Sequence, residues 1–237
     1  MNKELPQKKR LSKALAAAGI ASRRAAEELI FDGQVVVNGK KVLLPQTLVD
    51  LKQDVVTVNG TRVQSEEKKV YYILNKPPGV LCTAAPVMGK RVIDLFDETE
   101  GRLFTAGRLD KYTTGLIIVT NDGHFANRII HPSSNIEKEY IAKVEQEVLH
   151  SHLVAISKGT FVENTFVKPI SVEKVRGATV KVVVGEGKKR EVRELLEHAR
   201  LTVQDLKRVR LGNLVLGQLP VGQYRPMSER EKELIFE

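Results

Sequence analysis

Residues 107–123 read GRLDKYTTGLIIVTNDG, and this stretch divides into a polar loop and an apolar run. The loop carries a single aspartate, Asp110, two positions after Arg108. Gly115 then opens a β-branched run that ends at Asn-Asp-Gly, and a short run with such boundaries is typical of a β-strand. The stretch therefore predicts a strand preceded by a loop that presents one carboxylate.

Further runs of the same kind lie on both sides of this stretch. The segments KVYYILNKPPG, EYIAKV, TVKVVVGEG and LGNLVLGQL are short, apolar and bounded by turn residues, which predicts strands. Helical spacing appears between them in HFANRIIH, EVLHSHLVAIS and VRELLEHAR. Because strands and helices do not alternate as they do in parallel βαβ units, we expect an α+β fold with a mixed, largely antiparallel sheet flanked by helices.

The first quarter of the chain has a different pattern. RLSKALAAAGIASRRAAEELIFDG predicts two short helices separated at Gly19, with Ser22 as the N-cap of the second. QVVVNGKKV and DVVTVNGTRV each place Asn-Gly between β-branched residues, which indicates hairpins. The polar segment QSEEKK, residues 64–69, is interpreted as a linker. We therefore predict two domains, a helix-rich one over residues 9–66 and a larger one over residues 70–237.

Positive charge is concentrated in the smaller domain. The chain has a formal net charge of +9, with 38 Lys and Arg against 29 Asp and Glu, and a pI near 9.6. Residues 1–65 contain 11 basic and 6 acidic residues. A basic surface beside a helix pair suits a phosphate backbone, although a solvated charged face is the alternative. The candidate RNA-binding residues of this domain are Lys9, Arg10, Lys13, Arg23 and Arg24.

Several classes of protein are excluded or disfavoured by the sequence. No apolar run approaches the roughly 18 residues that span a bilayer, and the basic start lacks the apolar core of a secretory signal, so we expect a cytoplasmic protein without membrane contact. The one cysteine, Cys82, cannot form an internal disulfide or a cysteine zinc cage. Zinc-protease, serine-hydrolase and nucleotide-phosphate motifs are missing from the sequence.

The remaining candidates for chemistry are Asp110, Tyr140 and Arg193. Each has an ordinary structural alternative, since Asp110 suits a turn, Tyr140 a strand and Arg193 an exposed helix face. A dense basic segment lies just before Arg193 and contains Lys188, Lys189 and Arg190.

Two resemblances combine these observations. The segment RLSKALAAAGIASRRAAEELIFDGQVVVNG resembles the small RNA-binding module named after ribosomal protein S4, which implies binding of structured RNA without chemistry. Behind it, LNKPPGVLCT, GRLDKYTTGLIIVTNDG, KEYIAKV and GEGKKREVREL resemble, in that order, the ribosomal pseudouridine synthases of the small-subunit synthase A type. That resemblance covers the chain from about Lys9 to about Pro226.

The second resemblance implies a reaction and roles for residues. A uridine would be isomerised to pseudouridine without cofactor or metal, with Asp110 as the essential carboxylate. Tyr140 would pack on the uracil and help to remove the proton from carbon 5, and Arg193 would pair with Asp110. Arg108 would enter the space left by the flipped base. Lys188, Lys189, Arg190, Lys207 and Arg208 would border the cleft and contact RNA.

The resemblance also implies a partner, with alternatives. The expected substrate is a stem-loop of ribosomal RNA, either free or within an assembling subunit, and the expected state is a monomer. REVREL is closer to the large-subunit branch of the family, which favours large-subunit rRNA. Lys-Tyr-Thr-Thr after Asp110 and Glu194 after Arg193 depart from the usual pattern, which affects the expected RNA contacts. The alternatives are a non-catalytic rRNA-binding or ribosome-assembly protein and a synthase for small-subunit rRNA or tRNA.

Overall fold

A computed structural model describes residues 8–64, 66–96 and 102–237 and divides them into two compact units. The first unit contains the described residues up to Lys69 together with Arg102. The second contains residues 70–96 and 103–237.

The first unit combines two helices with short hairpins. The Ser22 hydroxyl accepts a hydrogen bond of 3.0 Å from the Ala25 N–H, so it caps the second helix as predicted. Asn38 and Asn59 have positive φ, as do the glycines that follow them, which is the turn geometry that Asn-Gly favours. The elements are β1 Lys9–Arg10, α1 Leu11–Ala17, α2 Arg23–Phe31, β2 Val35–Val37, β3 Lys40–Lys41, β4 Leu48–Val49, β5 Val56–Val58 and β6 Thr61–Arg62.

The core of the first unit lies between the helices and these strands. Leu11 and Leu15 of α1 and Ile30 of α2 are fully buried in it. The segment predicted as a linker contacts the first helix, because the Glu67 N–H donates to the Ala17 carbonyl at 3.0 Å. Ser65, within the same segment, lies outside the described residues.

The second unit is built on one large sheet. Its strands follow the order β13, β14, β10, β15, β9, β7, β17, with β16 and β8 paired to β15 and β9. Neighbouring strands of this sheet are antiparallel except β9 and β15, which are parallel, as expected for a mixed, largely antiparallel sheet. The strands are β7 Tyr71–Lys76, β8 Phe104–Ala106, β9 Thr114–Thr120, β10 Lys138–Val144, β11 Thr160–Val162, β12 Thr165–Val167, β13 Ser171–Arg176, β14 Thr179–Val184, β15 Val203–Leu211, β16 Leu214–Val215 and β17 Tyr224–Pro226.

Helices pack on this sheet, most of them where helical spacing predicted them. Three of them were expected from the sequence, whereas the carboxy-terminal one was not. They are α3 Gly123–Ile130, α4 His150–Lys158, α5 Glu191–His198 and α6 Glu229–Leu234.

One strand of the sheet was not predicted, and one strand prediction needs correction. β15 is nine residues long and lies in the middle of the sheet. Its sequence, VQDLKRVRL, was not predicted as a strand because it contains many charged residues. LGNLVLGQL was expected to be a strand, but only Leu214–Val215 are extended, because Gly212 and Gly217 adopt positive φ on either side.

The central strand β9 separates two apolar cores. Every residue of β9 is buried, with Ile117 and Val119 in one core and Leu116 and Ile118 in the other. Asp110 lies in the loop just before this strand, so the loop leads directly into a fully packed part of the sheet.

Candidate active site

The loop that carries Asp110 is held by a buried lysine. Lys76, at the end of β7, has no exposed surface, and its ammonium donates to the carbonyls of Pro77, Lys111 and Thr113 at 3.0 Å each. Burial lowers the pKa of Lys76, whereas Cys82 and Asp110 act in the opposite direction. Two of the three carbonyls belong to the Asp110 loop, so Lys76 ties that loop to the edge of β7.

Backbone contacts fix the same loop from two other directions. The Gly79 N–H of the Pro-Pro-Gly turn donates to the Lys111 carbonyl at 2.8 Å. The Leu109 N–H donates to the Cys82 sulfur at 3.4 Å, and burial raises the pKa of this thiol. Cys82 is half-buried.

Asp110 faces a pocket of about 230 Å³ in the second unit. The pocket has an apolar floor and a basic rim, and Asp110 is half-buried in its wall. Its lining consists of Arg108, Leu109, Asp110, Thr113, Tyr140, Val184, Gly187, Lys188, Lys189, Arg190, Glu191, Val192 and Leu206.

Tyr140 enters this pocket from the sheet. It lies on β10 opposite Val182 of β14 and Arg208 of β15, and its side chain is 8% exposed. A buried ring on a central strand presents a rigid apolar surface to whatever occupies the pocket. The structure therefore brings together Asp110 and Tyr140, two of the three residues singled out for chemistry.

Arg193 is the third residue of α5 and is not among the residues that line the pocket. It is half-buried, and burial and the Arg190 charge lower its pKa, while the Asp110 charge acts in the opposite direction. Among the described residues no Asp110–Arg193 ion pair occurs within 4.0 Å. Arg193 thus influences Asp110 through space, and the direct pairing that the resemblance implies is not formed here.

The basic segment before α5 forms one side of the pocket. Lys188 and Lys189 pair with Glu186 and Glu163 at 3.3 and 3.8 Å, and Arg190 pairs with Glu194 and Glu197. These side chains are 30%, 67% and 43% exposed, so they remain accessible from solvent. Surface ion pairs of this kind are weak and exchange readily for phosphate.

Glu191 shapes this segment and was not singled out from the sequence. Its carboxylate is buried and accepts hydrogen bonds of 2.7 Å from the N–H groups of Gly187 and Lys188. Burial raises the pKa of Glu191, and these backbone hydrogen bonds lower it. The sequence signal for this role is an acidic residue in the first turn of a helix, directly after a cationic segment whose backbone it can bind.

The sequence analysis also did not identify Thr113 and Lys76 as site residues. Thr113 lines the pocket, is 1% exposed, and has a buried hydroxyl without a partner among the described residues. Lys76 could have been suspected because a lysine at the end of an apolar strand, directly before Pro-Pro-Gly, is unusual.

The burial of Arg208 differs from what the sequence predicted. It was expected among the RNA-contacting residues of the cleft, but its side chain is 5% exposed and its Nε–H donates to the Leu116 carbonyl at 2.8 Å. The reason is that residue 208 falls on the inward face of β15, whose existence the sequence did not reveal. Lys207, on the same strand, is half-buried and does not line the pocket.

The candidate RNA-binding cations of the first unit lie on or directly before its two helices. Lys9 and Arg23 are engaged with Glu66 and Glu27, whereas Arg10, Lys13 and Arg24 are exposed. Lys9 and Arg10 form a short strand rather than part of the first helix.

The described residues contain no cluster of three or more His, Cys, Asp or Glu side chains suited to a metal ion. Within the same residues, no helix has the length and apolar character needed to cross a membrane.

The arrangement can supply a carboxylate, a buried aromatic ring and a cationic rim within one small pocket. A carboxylate can act as a nucleophile, and the ring can hold a planar base. The rim can bind the phosphates on either side of that base.

Comparison with known proteins finds a match for each of the two parts of the chain. Residues 70–198 match the family described as RNA pseudouridylate synthase, and residues 9–56 match the S4 domain. The ribosomal large subunit pseudouridine synthase B of Bacillus subtilis is 38% identical over 232 residues, which cover 94% of this chain and 93% of that protein. The chloroplast protein SVR1 of Arabidopsis thaliana is 47% identical over 97% of this chain, which spans 60% of the length of that relative.

A solved structure extends the agreement to three dimensions. A crystal structure of a pseudouridylate synthase superposes with a TM-score of 0.70 and 29% identity, covering 95% of this chain and 99% of the other. The predicted order of an S4-type module followed by a synthase fold is therefore confirmed. The chain belongs to the RNA pseudouridylate synthase family of enzymes.

Proposed function

We propose that this enzyme isomerises a specific uridine of large-subunit ribosomal RNA to pseudouridine, with Asp110 as the essential carboxylate. The observation that carries the proposal is the position of Asp110 beside the buried ring of Tyr140 in a pocket with a basic rim. The Bacillus subtilis relative, named for the large subunit, supports the choice of RNA.

The proposed chemistry rearranges bonds without net gain or loss of atoms. The bond from N1 of uracil to C1′ of ribose breaks, the base turns over, and a bond from C5 to C1′ forms. The proton on C5 leaves, and a proton is taken up at N1. The Asp110 carboxylate attacks the substrate or helps to trap the reactive sugar during this exchange.

The neighbouring residues take supporting roles in this proposal. The Tyr140 ring packs on the detached uracil and serves in removal of the C5 proton. The Arg193 guanidinium attracts the Asp110 carboxylate through space, and RNA binding would bring the two side chains closer. Arg108 is exposed at the pocket mouth, where it can occupy the stack that the flipped uridine leaves.

The function is tested by tritium release. Large-subunit rRNA transcripts labelled with tritium at C5 of uridine are incubated with wild type and with Asp110→Asn. We expect release from wild type and a rate below about a thousandth of it from the variant, since the amide is neither charged nor nucleophilic. Glu173→Gln, an exposed carboxylate of β13 that pairs with Lys181 outside the pocket lining, serves as the control and should retain activity.

The same assay separates the alternatives. Binding of rRNA without tritium release from any fragment would favour a non-catalytic assembly protein. Release from small-subunit rRNA or tRNA alone would contradict the proposed target but leave the chemistry in place. Mapping pseudouridine in ribosomes from cells that lack the gene identifies the position. The cytoplasmic location and the monomeric state stay predictions.

A further inference from the structure

The hairpin of β11 and β12, residues 160–167, carries an aromatic pair on its outer face. Phe161 and Phe166 are opposite each other in the strand register, with ring centroids 5.4 Å apart and planes at 67°. Their exposed fractions are 70% and 51%. Val162 and Val167 are only 3% exposed and belong to the core, so they anchor the hairpin while the two rings face solvent.

This aromatic hairpin lies next to the pocket of Asp110. Its turn contains Glu163, whose carboxylate is 3.8 Å from the ammonium of Lys189, and Lys189 lines the pocket. β11 also packs against α5, the helix that begins at the pocket rim. The two rings are therefore close to the place where an RNA strand would enter or leave the pocket.

Charge around the hairpin favours RNA over a protein partner. Lys158 and Lys168 flank it in the sequence and are exposed, and neither forms an ion pair within the described part of the chain. Glu163, the acidic residue of the hairpin, faces the Lys189 ammonium at 3.8 Å, and both side chains remain exposed. Exposed rings with free cations beside them match unpaired bases joined by phosphates, because bases stack on aromatic rings while the cations bind the backbone.

We propose that Phe161 and Phe166 form a stacking platform for an unpaired nucleotide of the RNA that flanks the target uridine. The proposal rests on the proposed function, since it assumes an RNA whose uridine enters the neighbouring pocket. It adds a binding site for a second nucleotide, which would help to decide which uridine is presented to Asp110.

The test compares the double variant Phe161→Ala/Phe166→Ala with wild type on tritium-labelled rRNA. We expect KM to rise roughly 5-fold or more with kcat unchanged, since stacking of a flanking base contributes equally to the ground state and the transition state. Phe161→Tyr/Phe166→Tyr keeps both rings and should keep the wild-type KM. Val175→Ala/Val215→Ala removes two exposed apolar side chains elsewhere in the same unit and should also behave as wild type.

A direct readout uses 2-aminopurine at successive unpaired positions of an RNA bound by Asp110→Asn protein. One position should lose fluorescence on binding, and the Phe-to-Ala double variant should restore it. An unchanged KM and no ring-dependent quenching would overturn the proposal, as would a KM increase shared equally by the Tyr variant. A change in self-association without any change in RNA binding would assign the rings to a second copy of the chain and also overturn it.

The two proposals fail in different ways. If wild type releases no tritium from any RNA, the proposed function fails, whereas the platform is still judged by the ring-dependent dissociation constant and quenching. If tritium is released but the rings have no effect, the platform alone fails.

Discussion

Asp110 depends on Lys76, a residue that would ordinarily be expected at the surface. A lysine with no exposed surface is tolerated only because its three N–H groups each reach a carbonyl. Two of those carbonyls belong to residues that follow Asp110, so the orientation of the carboxylate is coupled to a side chain on another strand.

Lys76→Met is expected to lower the free energy of unfolding by about 2–4 kcal/mol, because three buried carbonyls lose their donor. Urea unfolding followed by circular dichroism measures this change. Lys111→Met, the same substitution at an exposed position of the loop, should cost less than about 0.5 kcal/mol. Equal stability of the two variants would show that the buried ammonium does not hold the loop.

Among the elements, the parallel pair β9–β15 depends on a glycine at the point where the two strands meet. Gly115 has a φ of +104°, and a Cβ there would lie 2.1 Å from the Arg208 carbonyl oxygen. Only glycine permits both this backbone conformation and this approach of the two strands. The glycine that opens the apolar run of the Asp110 stretch is therefore required by strand pairing.

Gly115→Ala should lower the free energy of unfolding by more than about 2 kcal/mol, since both the strained φ and the clash with backbone must be relieved. Thermal or urea unfolding is a suitable measurement. The control is Gly123→Ala at the start of α3, where φ is not positive and a Cβ would lie 4.0 Å from the Phe104 ring, so stability should hold or rise. A Gly115→Ala protein as stable as this control would contradict the packing argument.

An ion pair whose strength depends on pH joins Arg225 of β17 to Glu231 of the carboxy-terminal helix α6. Arg225 donates two hydrogen bonds to Glu231, which lowers the pKa of Glu231 from an ordinary 4.5 to about 2. A carboxyl group with a lowered pKa in the folded state stabilises fully above its unfolded pKa. That contribution is lost as the pH falls from about 4.5 toward 2.

We therefore expect wild type to exceed Glu231→Gln in unfolding free energy by roughly 1 kcal/mol at pH 7, a value reduced by the partial exposure of Arg225. The difference should shrink as the pH falls from 5 to 3 in a series of urea titrations. Glu233→Gln, in a more exposed ion pair of the same helix, should show a much smaller difference. A gap that stays constant with pH would refute the assignment.

At the scale of the whole molecule, charge is distributed unevenly between the two units. The first 65 residues have five more basic than acidic residues, from 11 and 6, and the full chain has a net charge of +9. Binding of RNA by such a surface releases counterions, so affinity should fall steeply with salt.

Replacing Arg10, Lys13 and Arg24 by Gln should weaken rRNA binding similarly for all sequences. The slope of log K against log salt should become shallower by about 0.7 to 0.9 for each phosphate that the variant no longer neutralises. The measurement uses Asp110→Asn protein so that turnover does not interfere. Lys143→Gln, at an exposed position on β10, is the control and should leave the slope unchanged. A triple variant with the wild-type slope would show that these cations do not bind phosphate.

Local features of the chain were predictable because neighbouring residues decide them. The Ser22 cap, the Asn-Gly turns and the helices α3, α4 and α5 follow from caps, turn chemistry and spacing within a few residues. The resemblance singled out Asp110 and Tyr140, which the structure brings into one pocket.

The amino-acid sequence by itself determined the two-part organisation, the positions of the main helices and the residues to suspect at the site. Only the tertiary structure decided that Lys76 and Arg208 are buried, that β15 occupies the centre of the sheet, and that Glu191 organises the basic rim. The reason is that burial of a charged group depends on partners supplied by distant strands. A charged side chain looks the same in the sequence whether water or a buried carbonyl receives its hydrogen bonds.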